Sequence, residues 1–244
     1  MNFHNQNIIV TGGTRGIGAA ISSAFIAAGG NVIATYAGND ERANSFKAEL
    51  KGGDRLHLMK FDVSKKDQVE KFWNEVGGMF DQIHVLINNA GIRKDGLLAA
   101  MDERSWDDVL DINLKGTYLM GQGAVLNMMK ARYGRIINMS SIGGILGLSG
   151  QANYAASKAG QIALAKTLSK EVGKRGITVN CVLPGFIETE LISDLPEMQV
   201  KEYKSQVPMR RFGKPSEVAD VVLFLASDKA SYITGSTIEV TGGL

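Results

Sequence analysis

The chain has one cysteine and three histidines, and this scarcity argues against two kinds of site. Cys181 has no second thiol for an internal disulfide, and one cysteine cannot build a cysteine-rich metal centre. Without a paired histidine, Cys181 is better explained as a core residue of a strand than as a nucleophile. His4, His57 and His84 are scattered and show no ligand spacing. The sequence therefore predicts no metal site, and it fits a reducing compartment.

Long apolar runs and clusters of one charge are also missing. The longest strongly apolar run, Val221 to Ala226, is far shorter than the ~20 residues that span a bilayer. The polar segment Met1 to Asn7 lacks the basic and apolar regions of a signal peptide. The formal net charge is +2 and the sequence contains no long basic run, so nucleic-acid binding is poorly supported. We expect a cytoplasmic protein with no membrane or nucleic-acid partner.

No proline- or serine-rich linker, low-complexity tract or repeat divides the 244 residues. Hydrophobic residues make up 44% and charged residues 21%, which is ordinary for a globular protein. A single α/β domain commonly reaches this length. We therefore predict one domain over residues 1–244. The polar stretch 188–211 is the exception, and we interpret it as a mobile lid over a substrate site.

Short apolar runs alternate with amphipathic stretches along nearly the whole chain. Most of these runs are β-branched and continuous, as expected for strands covered on both faces of a parallel sheet. The predicted strands are 7–10, 32–36, 56–61, 83–88, 135–139, 178–182 and 237–240. The predicted helices are 16–28, 40–50, 65–79, 102–131, 152–174 and 215–226. The alternation predicts an α/β fold, a Rossmann-type doubly wound parallel sheet of about seven strands with helices on both faces.

A glycine-rich turn, Thr11 to Gly18, connects the first strand to the first helix. Its glycines permit a tight turn, close approach of the backbone to a pyrophosphate, and close packing of helix on strand. The helix N-terminus offers free N–H groups to the phosphates. The spacing is one residue longer than the standard fingerprint, and an ordinary glycine-containing loop is the alternative, but the strand before and the helix after favour dinucleotide binding. We predict cofactor contacts from Gly12, Thr14, Arg15, Gly16, Ile17 and Gly18.

The segment after the second strand, 34–39, contains no carboxylate. An NAD site usually places Asp or Glu there to accept hydrogen bonds from the ribose. Asp40 and Glu41 come later, where they suit the first turn of the next helix. Arg15 is available to meet a 2′-phosphate, although a solvated loop cation is the alternative. The pattern favours NADPH as the cofactor, with Tyr36 among the residues that bind it.

Tyr154 and Lys158 are one helical turn apart, which puts the phenol and the ammonium on one face. Tyrosine titrates near 10, so acid–base catalysis at neutral pH needs its pKa to fall by about 3 units, or ~4 kcal/mol. A cation at ~4 Å supplies about 1 kcal/mol in water and ~4 kcal/mol in a partly dry site, and burial opposes it. Lys158 therefore suffices only in a closed cleft, helped by the positive nicotinamide. In isolation, a chance pair on an exposed face explains the spacing better.

Other motifs accompany the pair along the chain. Asn88-Asn89-Ala90-Gly91 ends the fourth strand, Asn113 lies in the following helix, and Ser141 comes thirteen residues before Tyr154. Together with the glycine turn, Asp62-Val63 and Pro184-Gly185…Thr189, these motifs resemble those of the short-chain dehydrogenase/reductase family. They occur in the family's order over nearly the whole chain, so the joint signal is highly specific.

The resemblance implies a role for each matching residue. Tyr154 would give its proton to the substrate oxygen as hydride arrives from the nicotinamide, and Ser141 would orient that oxygen. Lys158 would lower the pKa of Tyr154 and bind the nicotinamide ribose, while Asn113 would hold a water that passes protons towards Lys158. Ser140 is the alternative to Ser141, which the thirteen-residue spacing favours. The other implied cofactor contacts are Asp62 and Val63 at the adenine, Asn89, Ala90 and Gly91 at the ribose, and Ile187 and Thr189 at the carboxamide and phosphate side.

Within the family, three segments resemble the bacterial ketoreductases of fatty-acid elongation: Gly150 to Ala156, Arg175 to Asn180 and Pro184 to Thr189. This resemblance implies NADPH-dependent reduction of a 3-oxoacyl thioester, carried on acyl carrier protein or CoA. It also implies a homotetramer formed through the helices at 102–131 and 152–174. Arg132 and Arg175 would dock the acidic carrier protein, or would simply complement the dipoles of the helices they follow.

Alternatives to this reading remain open. An acetoacetyl-CoA reductase or a ketoreductase of a specialised acyl pathway would share the same motifs, and a non-catalytic dinucleotide sensor would share the fold. The intact proton-transfer residues argue against the sensor. The chain also departs from the family in its short tail after Gly242 and in the extra glycine of the loop Arg93 to Gly96. The segment 191–207 is the part that sets substrate shape in this family, and its sequence does not indicate a substrate.

Overall fold

The computed structural model describes residues 1–50, 53–190 and 197–244. Its strands are β1 Asn7–Val10, β2 Asn31–Tyr36, β3 Leu56–Lys60, β4 Val85–Asn88, β5 Gly134–Met139, β6 Ile177–Pro184 and β7 Thr237–Val240. They form one sheet in the order β3-β2-β1-β4-β5-β6-β7, and every neighbouring pair is parallel. The predicted Rossmann-type sheet is confirmed.

The helices cover both faces of this sheet, as the continuous apolar strands predicted. They are α1 Gly16–Ala27, α2 Asp40–Leu50, α3 Lys66–Met79, α4 Glu103–Leu110, α5 Gly116–Ala131, α6 Gly143–Leu146, α7 Ala152–Val172, α8 Glu197–Gln206 and α9 Pro215–Ala226. The segment predicted as a helix at 102–131 is helical throughout 103–131, with a π-helical turn, Asp111–Lys115, joining α4 to α5. A π turn often marks a functional site.

Two apolar cores lie on opposite faces of the sheet. In β1, Ile8 and Val10 join the core under α1 and α9, whereas Ile9 joins the core under α3, α5 and α7. This alternation follows from the two-residue period of a strand. Every residue of β4, β5 and β6 is buried, while the edge strands β3 and β7 are partly exposed.

The predicted lid, 188–211, contains a helix that was not expected from its polar composition. α8 packs back on the sheet through Tyr203, whose ring stacks on Phe186 with centroids 4.7 Å apart. An isolated bridge between Ile187 and Gly213 joins the two ends of the stretch. Residues 191–196 of the predicted lid lie outside the described residues. Within the described ranges, no helix combines the length and apolarity needed to cross a membrane.

The strand order places the functional segments together. The chain direction across the sheet reverses between β1 and β4, so the loops after these two strands diverge and leave a crevice. Ligands of open parallel sheets bind at such a point, outside the carboxyl ends of the strands. The glycine turn follows β1, the Asn89 to Gly91 segment follows β4, and Ser141 follows β5.

Candidate active site

The glycine turn adopts a backbone that side chains would not permit. Gly12 and Gly16 have φ angles of +61° and +51°, in the left-handed region that favours glycine. A Cβ on Gly18 would lie 2.1 Å from the carbonyl oxygen of Gly12. The N–H of Gly13 donates to the carbonyl of Thr35 at 3.0 Å, which ties the turn to the end of β2.

The beginning of α1 suits an anion. Arg15 is the N-cap residue but makes no side-chain capping bond, and the first turn of α1 contains no acidic residue. The N–H groups at this end therefore keep their capacity to bind phosphate. Gly16 also lines a cavity of about 570 Å³, together with Arg42, Lys204, Glu188 and Glu190 among others. The free N–H groups at the start of α1 fit the pyrophosphate of a dinucleotide.

Asn89 holds the glycine turn in place. Its side-chain amide donates to the carbonyl oxygens of Thr11 and Gly12, both at 3.0 Å. The hydroxyl of Thr11 accepts from the N–H groups of Asn89 and Ala90 at 2.9 Å. The side chain of Asn89 is thus engaged by the protein, and its implied ribose contact stays a prediction. The sequence analysis did not single out Thr11, although it directly precedes the first glycine.

The adenosine side of the crevice carries an ion pair at the ends of β2 and β3. Tyr36 and Lys60 are partners in the strand register, and both donate to the carboxylate of Asp40, at 3.0 and 2.6 Å. The hydrogen bond from Lys60, followed by that from Tyr36, lowers the pKa of Asp40. One oxygen of Asp62 accepts from the N–H and the hydroxyl of Ser64. Asp40 is therefore already occupied by a cation.

Tyr154 lies in the first turn of α7, which Asn153 anchors. The amide of Asn153 donates to the carbonyls of Lys94 and Ser105 at 3.0 Å, and its oxygen accepts from the N–H of Tyr154 at 2.7 Å. Asn153 is fully buried. Its three bonds set the position of Tyr154 relative to the loop after β4. A short polar residue at the start of a helix is the sequence signal for such an anchor.

The two serines after β5 point in different directions. The hydroxyl of Ser140 donates to the carbonyl of Lys158 at 2.8 Å, and the residue is buried. The hydroxyl of Ser141 accepts from the N–H of Gly143 at 3.1 Å, and a Cβ on Gly143 would lie 3.4 Å from this hydroxyl oxygen and 3.8 Å from a ring carbon of Tyr154. Ser141 is thus the serine that shares the phenol's environment, whereas Ser140 braces α7.

The protein alone does not lower the pKa of Tyr154. Burial raises this pKa above the ordinary 10.0, and the neighbouring Ser141 hydroxyl and the charge of Arg93 oppose only part of the rise. The guanidinium carbon of Arg93 lies 5.9 Å from the centroid of the Tyr154 ring, and the nitrogen of Lys158 lies 5.5 Å from it. The fall of about 3 units that catalysis at neutral pH requires therefore needs more than Lys158.

Lys158 is 4% exposed, and its ammonium is hydrogen-bonded inside the protein. Its ammonium donates to the carbonyl of Met139 at 2.7 Å and to the side-chain oxygen of Gln161 at 3.2 Å. Burial lowers the pKa of Lys158 to about 8. Gln161 was missed by the sequence analysis, where its only signal is a polar residue three positions after Lys158 in a segment rich in small residues.

Asn113 lies in the π-helical turn and is fully buried. Its side chain accepts from the N–H of Ile92 at 2.8 Å and donates to the carbonyl of Ile92 and the hydroxyl of Ser157, at 3.0 and 3.1 Å. Its backbone carbonyl accepts from Thr117 at 2.7 Å and from Gln161 at 2.8 Å. Asn113 and Lys158 are therefore joined through Gln161.

Gly91 and Thr189 border the same crevice. A Cβ on Gly91 would lie 3.6 Å from the nitrogen of Lys158, and a Cβ on Gly16 would lie 3.6 Å from a methyl carbon of Thr189. Ile187 and Val63 are buried, at 5% and 6% exposure.

Cys181 is buried in β6, and burial raises its pKa to about 12, so its thiol stays protonated. In the described part of the chain, no cluster of three metal-ligating side chains is present.

The two predicted docking arginines lie at the opposite edge of the sheet. Arg132 precedes β5 and Arg175 precedes β6, whereas Tyr154 lies at the carboxyl ends of these strands. At about 3.3 Å per residue, the length of β5 separates the two edges by roughly 17 Å. Arg132 donates to the carbonyl of Lys174 at 3.2 Å, so the two arginines are on neighbouring segments. Docking by this pair stays a prediction.

Comparison with known proteins adds a second line of evidence. Residues 12–244 match the family described as Enoyl-(Acyl carrier protein) reductase. The 3-oxoacyl-[acyl-carrier-protein] reductase FabG of Staphylococcus epidermidis is 45% identical over 241 residues, 98% of this chain and 99% of the relative. The proteins of the same name from Aquifex aeolicus and Thermotoga maritima are each 44% identical, over 97% and 100% of this chain and 96% and 99% of their own lengths. The two descriptions name different reductions, one of a carbon–carbon double bond and one of a ketone.

Proposed function

The chain belongs to the short-chain dehydrogenase/reductase family, and from this premise we propose that it reduces 3-oxoacyl thioesters to 3-hydroxyacyl thioesters in fatty-acid biosynthesis. The observation that carries the proposal is the placement of Ser141 and Tyr154 side by side at the carboxyl edge of the sheet, where a Cβ on Gly143 would lie 3.4 Å from the Ser141 hydroxyl oxygen and 3.8 Å from a ring carbon of Tyr154. Two neighbouring hydroxyl groups can both donate to a single carbonyl oxygen. A ketone presents such an oxygen at the reacting carbon, whereas a double bond between carbons does not.

The residues then divide the reaction between them. A bound NADPH would supply the hydride for the ketone carbon. Tyr154 transfers its phenolic proton to the ketone oxygen, and Ser141 donates a hydrogen bond that orients the same oxygen. The tyrosinate that forms is flanked by the charges of Arg93 and Lys158, which lie 5.9 and 5.5 Å from the ring centroid. These cations favour the charged product of proton transfer.

NADPH rather than NADH is the proposed cofactor. Asp40, the carboxylate nearest to the end of β2, is bound by Lys60 and Tyr36 and so is less available to a ribose. Arg15 begins α1, and Arg42 lines the cavity at Gly16, where its guanidinium pairs with Glu190 at 3.2 Å. The Nε of Arg42 is buried and has no hydrogen-bond partner in the described part of the chain. A 2′-phosphate would suit Arg15 and this remaining donor.

A homotetramer is the proposed assembly. Tyr118, Leu126 and Met129 of α5 expose 48%, 66% and 37% of their surface, which supports the homotetramer predicted through the long helices. A single domain over 1–244, a substrate lid at 188–211, a cytoplasmic location and docking of acyl carrier protein at Arg132 and Arg175 likewise stay proposals. Carrier-bound substrate should lose turnover after Arg132→Ala or Arg175→Ala while CoA substrate does not.

The test is NADPH oxidation by the purified protein with acetoacetyl thioesters on acyl carrier protein and on CoA. We expect turnover with both, no turnover with a 2-enoyl thioester, and weaker use of NADH. Preference for the CoA thioester would favour the acetoacetyl-CoA reductase alternative. Cofactor binding without turnover of any oxo substrate would overturn the proposal and favour a dinucleotide sensor.

A further inference from the structure

A buried amide connects the two catalytic segments that the family resemblance links through a water. Gln161 is fully buried on α7, one turn after Lys158. Burying an amide is costly unless its donors and acceptor are hydrogen-bonded. All three are bonded here, to Lys158 on one side and to Asn113 and Thr117 on the other.

The bonds determine which way the amide faces. Its oxygen lies 3.2 Å from the ammonium nitrogen of Lys158, which can only donate. Its nitrogen lies 2.8 Å from the carbonyl oxygen of Asn113 and 2.7 Å from the hydroxyl of Thr117. The Thr117 hydroxyl donates its own proton to the Asn113 carbonyl at 2.7 Å, so it accepts a hydrogen bond from Gln161. The reverse orientation would set two donors against each other.

The carbonyl of Asn113 is saturated by this arrangement. A carbonyl oxygen has two lone pairs, and Thr117 and Gln161 occupy both. The side chain of Asn113 is likewise used, by Ile92 and Ser157.

We propose that Gln161 is a positioning residue that holds the Lys158 ammonium in place and links it to Asn113. The inference deepens the proposed function and rests on it for the role of Lys158. Gln161 stabilises the charged form of Lys158 by accepting its hydrogen bond.

Among the described residues, Gln161 supplies the side-chain acceptor for the ammonium of Lys158. Tyr154 faces it from the same helix, and Cys181 faces it from β6 with a thiol that stays protonated. Met139 contributes only a backbone carbonyl. Removing the side-chain acceptor should therefore lower the pKa of Lys158, and adding a negative charge at the same place should raise it.

The experiment is a lysine titration by NMR on the cofactor-free protein labelled with ¹³C-lysine, with Lys158→Arg to assign the signal. A hydrogen bond to a charged group corresponds to about one pKa unit or more. We expect Gln161→Met to lower the pKa of Lys158 by at least that amount and Gln161→Glu to raise it. The exposed Gln122 of α5 provides the matched control, since Gln122→Met should leave the titration unchanged.

The two variants must move the pKa in opposite directions, which a general disturbance of packing would not do. An unchanged pKa, or a shift of the same sign in both variants, would overturn the proposal. If Gln161→Met fails to fold, the Gln161→Glu titration decides alone. Because the NMR titration needs no turnover, failure of the proposed function would appear separately, as a wild-type protein that titrates as expected but reduces no oxo substrate.

In single-turnover NADPH oxidation, the alkaline limit of the rate should follow the NMR values, moving to lower pH in Gln161→Met and to higher pH in Gln161→Glu. Equal losses of rate at every pH would assign Gln161 a purely structural role and contradict the proposal.

Discussion

The ammonium of Lys158 lies 5.5 Å from the centroid of the Tyr154 ring, but it donates its hydrogen bonds to Met139 and Gln161. The cation therefore acts on the phenol through space and not through a direct bond. Arg93 lies 5.9 Å from the same centroid. Despite these two charges, burial raises the pKa of Tyr154. The low pKa that catalysis needs must therefore come from the cofactor-bound state.

Lys158 should lower the stability of the protein at neutral pH. Its pKa falls from 10.5 to about 8 because burial penalises the ammonium. The unfolded chain binds more protons between these values, so the free energy of unfolding rises with pH across that window. Below pH 8 the whole penalty applies, about 3 kcal/mol.

Lys158→Met removes this penalty and loses the hydrogen bond to Met139. We expect the variant to exceed the wild type at neutral pH by ~1–3 kcal/mol. Urea unfolding should show the difference shrinking as the pH rises towards 10.5. Lys170→Met, on the exposed part of α7, is the control and should show no such trend. A difference that is constant with pH would contradict the assignment of the penalty to Lys158.

Arg93 should assist the ionisation of Tyr154. Its side chain is 43% exposed and pairs with Asp95, so solvent and the carboxylate screen its charge. At about 6 Å in water a unit charge contributes ~0.7 kcal/mol, or about half a pKa unit. We expect Arg93→Gln to raise the pKa of Tyr154 by that amount in an ultraviolet titration of tyrosinate, with the Tyr154→Phe spectrum subtracted. The exposed Arg104 of α4 supplies the control, Arg104→Gln, and an equal shift in both variants would refute a specific role.

Gly18 should be indispensable to the glycine turn. Its Cβ would lie 2.1 Å from the Gly12 carbonyl and 2.5 Å from the Asn89 amide. Gly18→Ala should destabilise the protein by about 1–3 kcal/mol and abolish measurable NADPH binding by fluorescence. Gly121, in α5, has no atom within 4 Å of its Cβ position. Gly121→Ala should therefore bind NADPH normally, and similar binding by both variants would show that the turn tolerates the methyl group.

Arg15 should distinguish the two nicotinamide cofactors. An exposed guanidinium beside a phosphate contributes about 1–2 kcal/mol, which corresponds to roughly tenfold in affinity or somewhat more. We expect Arg15→Ala to weaken NADPH binding by this factor and to leave NADH binding unchanged, as measured by cofactor fluorescence. Arg55→Ala, on the exposed turn before β3, is the control. Equal weakening of both cofactors would place Arg15 at the pyrophosphate.

The sheet was predictable because its strands carry their signal locally. Continuous β-branched runs such as Ile83 to Asn88 and Thr178 to Val182 indicate buried parallel strands without reference to any other part of the chain. The same holds for the glycine turn, whose neighbours on both sides are visible in the sequence. The helix predicted at 102–131 is confirmed, but its π turn at Asp111–Lys115 was not predicted, since the bonds of Asn113 there reach Ile92, Ser157 and Gln161, which lie far away in sequence.

The residues that form the site were easier to predict than the contacts that they make. The sequence favours Ser141 by spacing, but the different directions of Ser140 and Ser141 depend on α7 packing beside β5. The polar composition of 188–211 does not reveal α8, whose Tyr203 stacks on Phe186 just after β6. Family spacing likewise gives no sign that Arg132 lies at the edge of the sheet opposite Tyr154.

The most direct measurement is single-turnover oxidation of NADPH with an acetoacetyl thioester by the wild type, Tyr154→Phe and Tyr232→Phe. Tyr232 is fully exposed, so its variant makes the same chemical change away from the site. We predict that Tyr154→Phe loses at least ~10²-fold in rate, the usual contribution of a positioned proton donor, and that it binds NADPH as the wild type does. Tyr232→Phe should keep the full rate. A Tyr154→Phe enzyme that reduces the ketone at the wild-type rate would contradict proton transfer from Tyr154.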